Sequence, residues 1–449
     1  MPTAAEGSAA SRIERLEKML STSPGHGGLM YELAAAEAGS GRHADAIRWL
    51  EKAVSLGYDF DLAGDARFAT SKKFEPFREL AGRLASRPPA RTSTLAFRIA
   101  ERDLIPEGIA WDPSGKSFYV GSLYKKKILR LAPDGAASDF VPSGRDGLWT
   151  VLGLRVDPAR RILWAAFAAD GREGPAAGSS GLFAFDLVTG RLLGKHVLDG
   201  RSGKHLFNDL AVTGAGEVFL TDSEAGAIYR LAPGGESIEA FLPGRSFTYP
   251  NGIALDVSGS RLDAADFSKG ISIVEIATKK TRPLPHPRAV TLHSADRLYA
   301  YGASLVAIQN GPGMERVVHL PLDPAGERVV GERVIEGRNP ELEAPTTGAI
   351  AGSDFFYIAN SQLDALGEED GKLRPEARLE EVRIFRAPLL MTDWLGHCFL
   401  RKHTGNPETT ESVTEFDWCL NQAESMIKAR QGSPRRGLPG DAAPLFCTR

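Results

Sequence analysis

The chain has 449 residues and a net charge of −3, with 42% hydrophobic and 25% charged residues, enough apolar material for two or three domains. That balance, without a Lys/Arg stripe, excludes a nucleic-acid-binding field, and no apolar run reaches the roughly 18 residues of a membrane span. Forty-eight glycines and 28 prolines imply many turns and so many short strands.

Residues 1–10 read as a flexible start. MPTAAEGSAASRIERLEKML lacks a basic-then-apolar leader, which points to a cytoplasmic protein unless a misassigned start hides a periplasmic or secreted form. Residues 11–87 read as helices: Ile13, Leu16 and Leu20 recur at helical spacing, as do Ala46, Leu50 and Ala53. LMYELAAAEAGSGRHADAIRWLEKAVSLG resembles one tetratricopeptide repeat, with Leu33, Ala34, Gly41, Ala46, Leu50 and Ala53 at its packing positions. A second, degenerate helix pair is read into FDLAGDARFATSKKFEPFRELAGRL. One repeat cannot bury its own face, so it packs on a neighbouring domain or on a protein partner. The alternative is an ordinary helical hairpin acting as a cap. SRPPARTSTLA is a Pro/Ser/Thr linker, centred on residues 88–96.

From residue 97 to 388 the pattern changes to alternating strands with an internal repeat. Six stretches align: PEGIAWDPSGKSFYVGS, VLGLRVDPARRILWAAF, FNDLAVTGAGEVFLTDS, PNGIALDVSGSRLDAAD, SADRLYAYGASLVAIQN and TTGAIAGSDFFYIANS. Each is a strand, a tight turn and a second strand. The equivalent residues at their starts are Glu107, Leu152, Asn208, Asn251, Asp296 and Thr347, separated by 45, 56, 43, 45 and 51 residues. Six repeats of that length predict an all-β six-bladed β-propeller preceded by a small α-helical, tetratricopeptide-like domain. KILRLAP, GLFAFDL, AIYRLAP, ISIVEIA and VVHLPLD supply further strands, LEEVRIFRAPL follows the sixth copy, and TLAFRIAER is the candidate that closes the ring. Asp263, in SRLDAADFS, sits where a strand wants an apolar residue; either it faces water or the blade is distorted. Residues 389–449 hold all three cysteines, without a zinc spacing, and read as a poorly ordered or loosely docked extension.

Inner strands of a propeller line its axis, so Glu107, Asn208, Asn251 and Asp296 should form a ring. Any one alone is a turn residue. Two carboxylates and two amides together offer only oxygen, which suits Ca²⁺ best, with Mg²⁺, Mn²⁺ or Zn²⁺ as alternatives.

Pro106-Glu107-Gly108, Asn208-Asp209, Pro250-Asn251-Gly252 and Asp296, in that order and blade spacing, resemble the senescence-marker-protein/gluconolactonase (regucalcin-like) propellers, and more distantly the paraoxonases, over about residues 93–388. The resemblance implies a divalent metal on Glu107, Asn251 and Asp296, with Asn208 joining it or orienting substrate. It also implies hydrolysis of a lactone or small ester, with Asp296 as the acidic residue that assists water attack. No nucleophilic serine or cysteine is needed for such chemistry. His205 and Arg297 complete the expected substrate contacts, and His205 and His293 are candidate proton shuttles or plain loop histidines. The chain departs from the pattern at Leu210, where the family often has glycine, at Lys204-His205-Leu206-Phe207, where an arginine is common, and at Arg297, which stands for glycine. The competing readings are a non-catalytic, metal-stabilised scaffold and a strictosidine-synthase-like condensing propeller.

Overall fold

A computed structural model describes residues 9–169, 176–311, 313–367 and 371–389. The expectations for residues 1–8 and for the extension after residue 389 lie outside the described residues. No helix among those described is long and apolar enough to cross a membrane.

Four helices open the chain: α1 (Ala9–Thr22), α2 (Gly27–Gly39), α3 (His43–Ser55) and α4 (Glu75–Ala85). The helical periodicity marks their buried faces. Ile13, Leu16 and Leu20 on α1, Leu33 and Ala34 on α2, and Ala46, Leu50 and Ala53 on α3 all enter one core. Alanines at that seam let α2 and α3 approach closely. The second helix pair does not form. Residues 60–84 make two short 3₁₀ turns, Ala66–Phe68 and Ser71–Lys73, before α4. Asp65 caps the first turn by accepting from the Arg67 backbone N–H, because a carboxylate at that position satisfies an amide the turn leaves open.

The rest folds into six antiparallel sheets, a six-bladed β-propeller. The inner strands, in chain order, are Pro106–Asp112, Thr150–Asp157, Phe207–Val212, Pro250–Leu255, Ala295–Ala300 and Gly348–Ala351. Each packs on the next, and the sixth on the first. Closure uses the predicted segment: Thr94–Ile99 pairs antiparallel with Val382–Pro388 as the outermost strand of blade six. The edge of that blade is thereby covered. The stretch read as a linker also joins a sheet, since Ala90–Arg91 adds to the outer strand of blade five, Arg333–Gly337. The turns after the inner strands reuse one device. The Asp112 carboxylate accepts from Ser114 N, Asp157 from Arg160 N, and Asp256 from Arg261 N, the side-chain bonding that suits aspartate to turns.

A second regularity positions the site. In five blades the pairing of the inner strand breaks at its start, between Pro106 and Gly108, Val151 and Leu154, Phe207 and Leu210, Pro250 and Ile253, and Ala295 and Arg297. These are β-bulges, which leave residues out of the ladder and re-aim their side chains. The residues left out include Glu107, Leu152, Asn208, Asn251 and Asp296. An asparagine at the threshold of a strand is thus one member of a bulge repeated around the axis.

The helical segment sits on the face of the propeller where the inner strands begin, over blades four and five. The Tyr58 hydroxyl is 3.0 Å from Ser294 Oγ, and Asp59 N donates to Gly313 O at 2.8 Å. The His26 ring meets Phe267 edge-on. Arg338 spans the seam, donating to Arg87 O at 3.0 Å and pairing with Asp59 at 3.3 Å. The helical segment thus packs on the propeller, whose blade five contributes Met314 to the helical core.

Candidate functional site

The six equivalent residues ring the axis at one end of the channel, and the two carboxylates and two amides among them come together. Asn208 Nδ2 donates to Asn251 Oδ1 at 3.0 Å, and Asn251 Nδ2 donates to Asp296 Oδ1 at 2.9 Å. Amides therefore link blades three, four and five. Glu107 closes the group from blade one, but it is not joined by an amide.

What joins it is Arg297. Its Nη2 donates to Glu107 Oε1 at 3.0 Å and to Asn208 O at 3.3 Å, and its Nη1 donates to Asp296 Oδ1 at 3.2 Å. The four ring side chains retain 5–7% exposure, whereas Arg297 retains 1%, so the guanidinium lies behind the ring and not at its open side. A residue expected to touch substrate is instead the internal counter-ion of two carboxylates.

Burial dominates the electrostatics. It pushes the Glu107 pKa up to about 8; the Arg297 charge opposes the rise and Asp296 adds to it. Asp296 is raised by burial too, against Arg297 and the hydrogen bonds from Asn310 and Asn251. For Arg297 burial works against the charge, but Asp296 and Glu107 outweigh it and raise the pKa. Uncharged partners complete the cluster. Asn310 Nδ2 donates to Asp296 Oδ2 at 2.8 Å. Asn208 Nδ2 reaches Ser223 Oγ at 3.0 Å, and that hydroxyl donates to Pro250 O at 2.7 Å. Three buried oxygens of the ring, Glu107 Oε2, Asn208 Oδ1 and Thr347 Oγ1, have no hydrogen-bond partner.

A second charged layer lies deeper. Asp209 accepts from Ile253 N at 3.2 Å and from Arg155 Nη2 at 3.3 Å, and the Arg155 guanidinium lies over the Tyr299 ring at 5.5 Å. Beyond it a cavity of about 300 Å³ opens at the far end of the channel, walled by Ile109, Trp111, Val156, Leu255 and Ile350. It is separated from the ring by this layer and belongs to the opposite face.

The two histidines are engaged elsewhere. His205 Nδ1 is 2.6 Å from Asp222 Oδ2, and its ring stands edge-on to Tyr229. His293 bonds Ser268 O at 3.1 Å through Nδ1 and is packed so closely on Gly25 that a Cβ there would collide with its imidazole. His293 is thus a contact between helical segment and propeller, and His205 pins a loop of blade three.

The expected divalent cation does not fit this ring as it stands. A Ca²⁺ site needs several oxygens free to turn toward one point, yet Glu107 Oε1 and Asp296 Oδ1 already receive the guanidinium, and Asn251 Oδ1 receives Asn208. No group of three or more His, Cys, Asp or Glu side chains suited to a metal occurs among the described residues. The reason is Arg297, whose charge occupies the position that two converging carboxylates would otherwise offer to an ion.

Sequence reasoning did not single out Ser223 or Asn310, and it gave Asp209 no role beyond its place in the Asn208-Asp209 motif. The signal was present, because Ser223 and Asn310 end the aligned copies FNDLAVTGAGEVFLTDS and SADRLYAYGASLVAIQN, where second strands return to the ring.

No protein-family model matches the sequence, and no curated protein matches it. Three solved structures share features of its backbone at low identity. A gluconolactonase from Xanthomonas campestris has 17% identity, covering 68% of this chain and 99% of its own, with a TM-score of 0.45. The calcium-binding protein regucalcin from Agrobacterium tumefaciens has 15% identity, 65% and 93% coverage, and a TM-score of 0.45. A PQQ-bound aldose sugar dehydrogenase from Streptomyces coelicolor has 16% identity, 67% and 99% coverage, and a TM-score of 0.44. These proteins differ in what they do, so the likeness carries nothing about activity.

Proposed function

We propose that the chain is a hydrolase of lactones or small esters working at the axial ring, with Glu107 as the general base. The observation that carries this reading is the pair of buried, unpartnered acceptors on the ring, Glu107 Oε2 and Asn208 Oδ1. Buried acceptors without partners are costly and rare unless a function retains them. A water or substrate hydroxyl would satisfy both.

The resemblance assigns the acidic role to Asp296, but its oxygens already accept from Asn251, Arg297 and Asn310. Asp296 is better suited to hold the network in place. Glu107, one oxygen anchored on Arg297 and one free, can take the proton of an attacking water that Asn208 orients. The water oxygen bonds to the carbonyl carbon, the ring or ester C–O bond breaks, and the proton passes from Glu107 to the departing alkoxide. Arg297 stays protonated throughout and balances the carboxylates.

Turnover should be measured on a panel of lactones and aryl esters. Glu107→Gln is expected to lower kcat by about 10²-fold or more with an unchanged folded spectrum. Because an ionised base is required, the wild-type rate should rise with pH and level off above about 8, the value to which burial pushes Glu107. No turnover across the panel, or a Glu107→Gln protein as active as wild type, would overturn the assignment. The second reading, a non-catalytic propeller, is favoured by one feature: Arg297 closes enough bonds for the ring to serve as a structural pin.

A further inference from the structure

We propose that Arg297 is a built-in axial cation: its guanidinium replaces a divalent ion among Glu107, Asn208, Asn251 and Asp296, and removing it turns the ring into a Ca²⁺ site. The inference stands apart from the hydrolase reading, since nothing in it requires turnover.

Position comes first. Arg297 belongs to blade five and bonds Glu107 of blade one and the Asn208 carbonyl of blade three. A group that reaches alternate blades of a six-membered ring can do so only from the middle. Its partners are the oxygens that a metal at that point would need, including Asp296 Oδ1 at 3.2 Å.

Charge is the second consideration. Two buried carboxylates, from blades one and five, flank the guanidinium, which answers both. The neighbouring carboxylate, Asp209, has its own partner in Arg155. A divalent ion added to this layer would share the same two carboxylates with an arginine that stays charged at any ordinary pH. The like charges would then meet in a space from which water is nearly absent. One of the two must leave, and the arginine is tethered.

Third, the backbone is prepared for its loss. The residue after the ring position is glycine in four other blades, Gly108, Gly153, Gly252 and Gly348, and Arg297 takes that place in blade five. Arg297→Gly restores the local pattern of the other blades. It also frees Glu107 Oε1 and Asp296 Oδ1, and with Glu107 Oε2 and Asn208 Oδ1 already unpartnered, the ring acquires hard oxygen donors around a vacated centre. That donor set suits Ca²⁺.

The experiment compares full-length wild type, Arg297→Lys and Arg297→Gly, purified without chelator. Bound metal is read by elemental analysis and Ca²⁺ affinity by calorimetry and by the shift in Tm with CaCl₂. Wild type and Arg297→Lys should carry no stoichiometric divalent metal and show no Ca²⁺-dependent shift. Arg297→Gly should bind about one Ca²⁺ per chain and gain Tm as Ca²⁺ rises, since a ligand that binds only the folded state stabilises it. Should Arg297→Gly not fold, Arg297→Ala removes the guanidinium and keeps both carboxylates. It is read the same way, by a gain of Ca²⁺ affinity over wild type. A stoichiometric ion retained by wild type, or no gain in the variants that lack the guanidinium, overturns the proposal.

Discussion

Gly252→Ala is expected to destabilise the protein by on the order of 3 kcal/mol, the upper range for forcing atoms into a packed interior. A Cβ at this position would lie 2.6 Å from Leu298 N and 2.7 Å from the Arg297 Cα of the adjoining blade. Both are backbone atoms and cannot rotate away. The inner strands converge on the axis, and at the bulges they approach closely enough that only a hydrogen fits. Gly153 faces Asn208 O and the Asp209 Cα in the same manner. Because the Arg297 Cα and carbonyl carbon are among the atoms struck, the change should also loosen the bonds of Arg297 to Glu107. Gly82→Ala, in α4 with nothing within 4 Å of the added Cβ, supplies the contrast. There the substitution should stabilise by roughly 0.5–1 kcal/mol, from the lost backbone freedom of glycine in a helix. Denaturant midpoints measured on both variants separate the cases. A Gly252→Ala protein as stable as Gly82→Ala would mean that the seam between blades four and five is looser than the structure has it.

The propeller was legible because its repeat is a matter of spacing. Blade after blade, an apolar run, an Asp- or Gly-bearing turn and a second run recur, and that pattern survives any change of side chains in the sheet interior. Closure was legible from TLAFRIAER for the same reason: an unused strand at one end of the chain and an exposed edge at the other can pair. The positions of Glu107, Asn208, Asn251 and Asp296 were legible as a ring, since equivalent residues of a rotational repeat must face a common axis. The bulges that aim them were not, because a bulge leaves no composition of its own beyond an occasional glycine. Nor was the role of Arg297. Its neighbour in sequence points into the ring, and a one-dimensional reading gives arginine no reach. A side chain this long can cross a channel and end among residues of blades one and three. What the sequence offered was only the substitution itself, arginine where four other blades have glycine. Residues 60–84 show the opposite limit. Their apolar spacing is helical, yet Gly64 and the Asp65 cap break the segment into short turns before α4.

Asp263 is where the sequence posed a choice, water or distortion, and the structure took neither. Strand Arg261–Asp266 pairs without interruption with Gly270–Glu275, and Asp263 is 1% exposed within it. Its Oδ1 has no hydrogen-bond partner, and the nearest cation, Arg261 Nε, stands 3.6 Å away, beyond a proper hydrogen bond. Burial pushes its pKa up to about 6, with Arg261 pulling the other way. The sign of the consequence follows from proton counting. Below about pH 4 the carboxyl is protonated in both states and carries no ionic penalty. Between that value and about 6 the unfolded chain releases the proton while the fold keeps it, so stability falls as pH rises. Above this window both states are ionised and the full penalty remains, about 3 kcal/mol at 1.36 kcal/mol per unit. Asp263→Asn cannot ionise. It should match wild type near pH 4 and exceed it by about 2–3 kcal/mol at pH 8, a difference read from denaturation curves at the two pH values. Glu107 also titrates above the carboxylate range, but it does so in both proteins and cancels from the comparison. An advantage of the amide that stays constant across the window would show that Asp263 is solvated in solution and that the outer part of blade four opens to water.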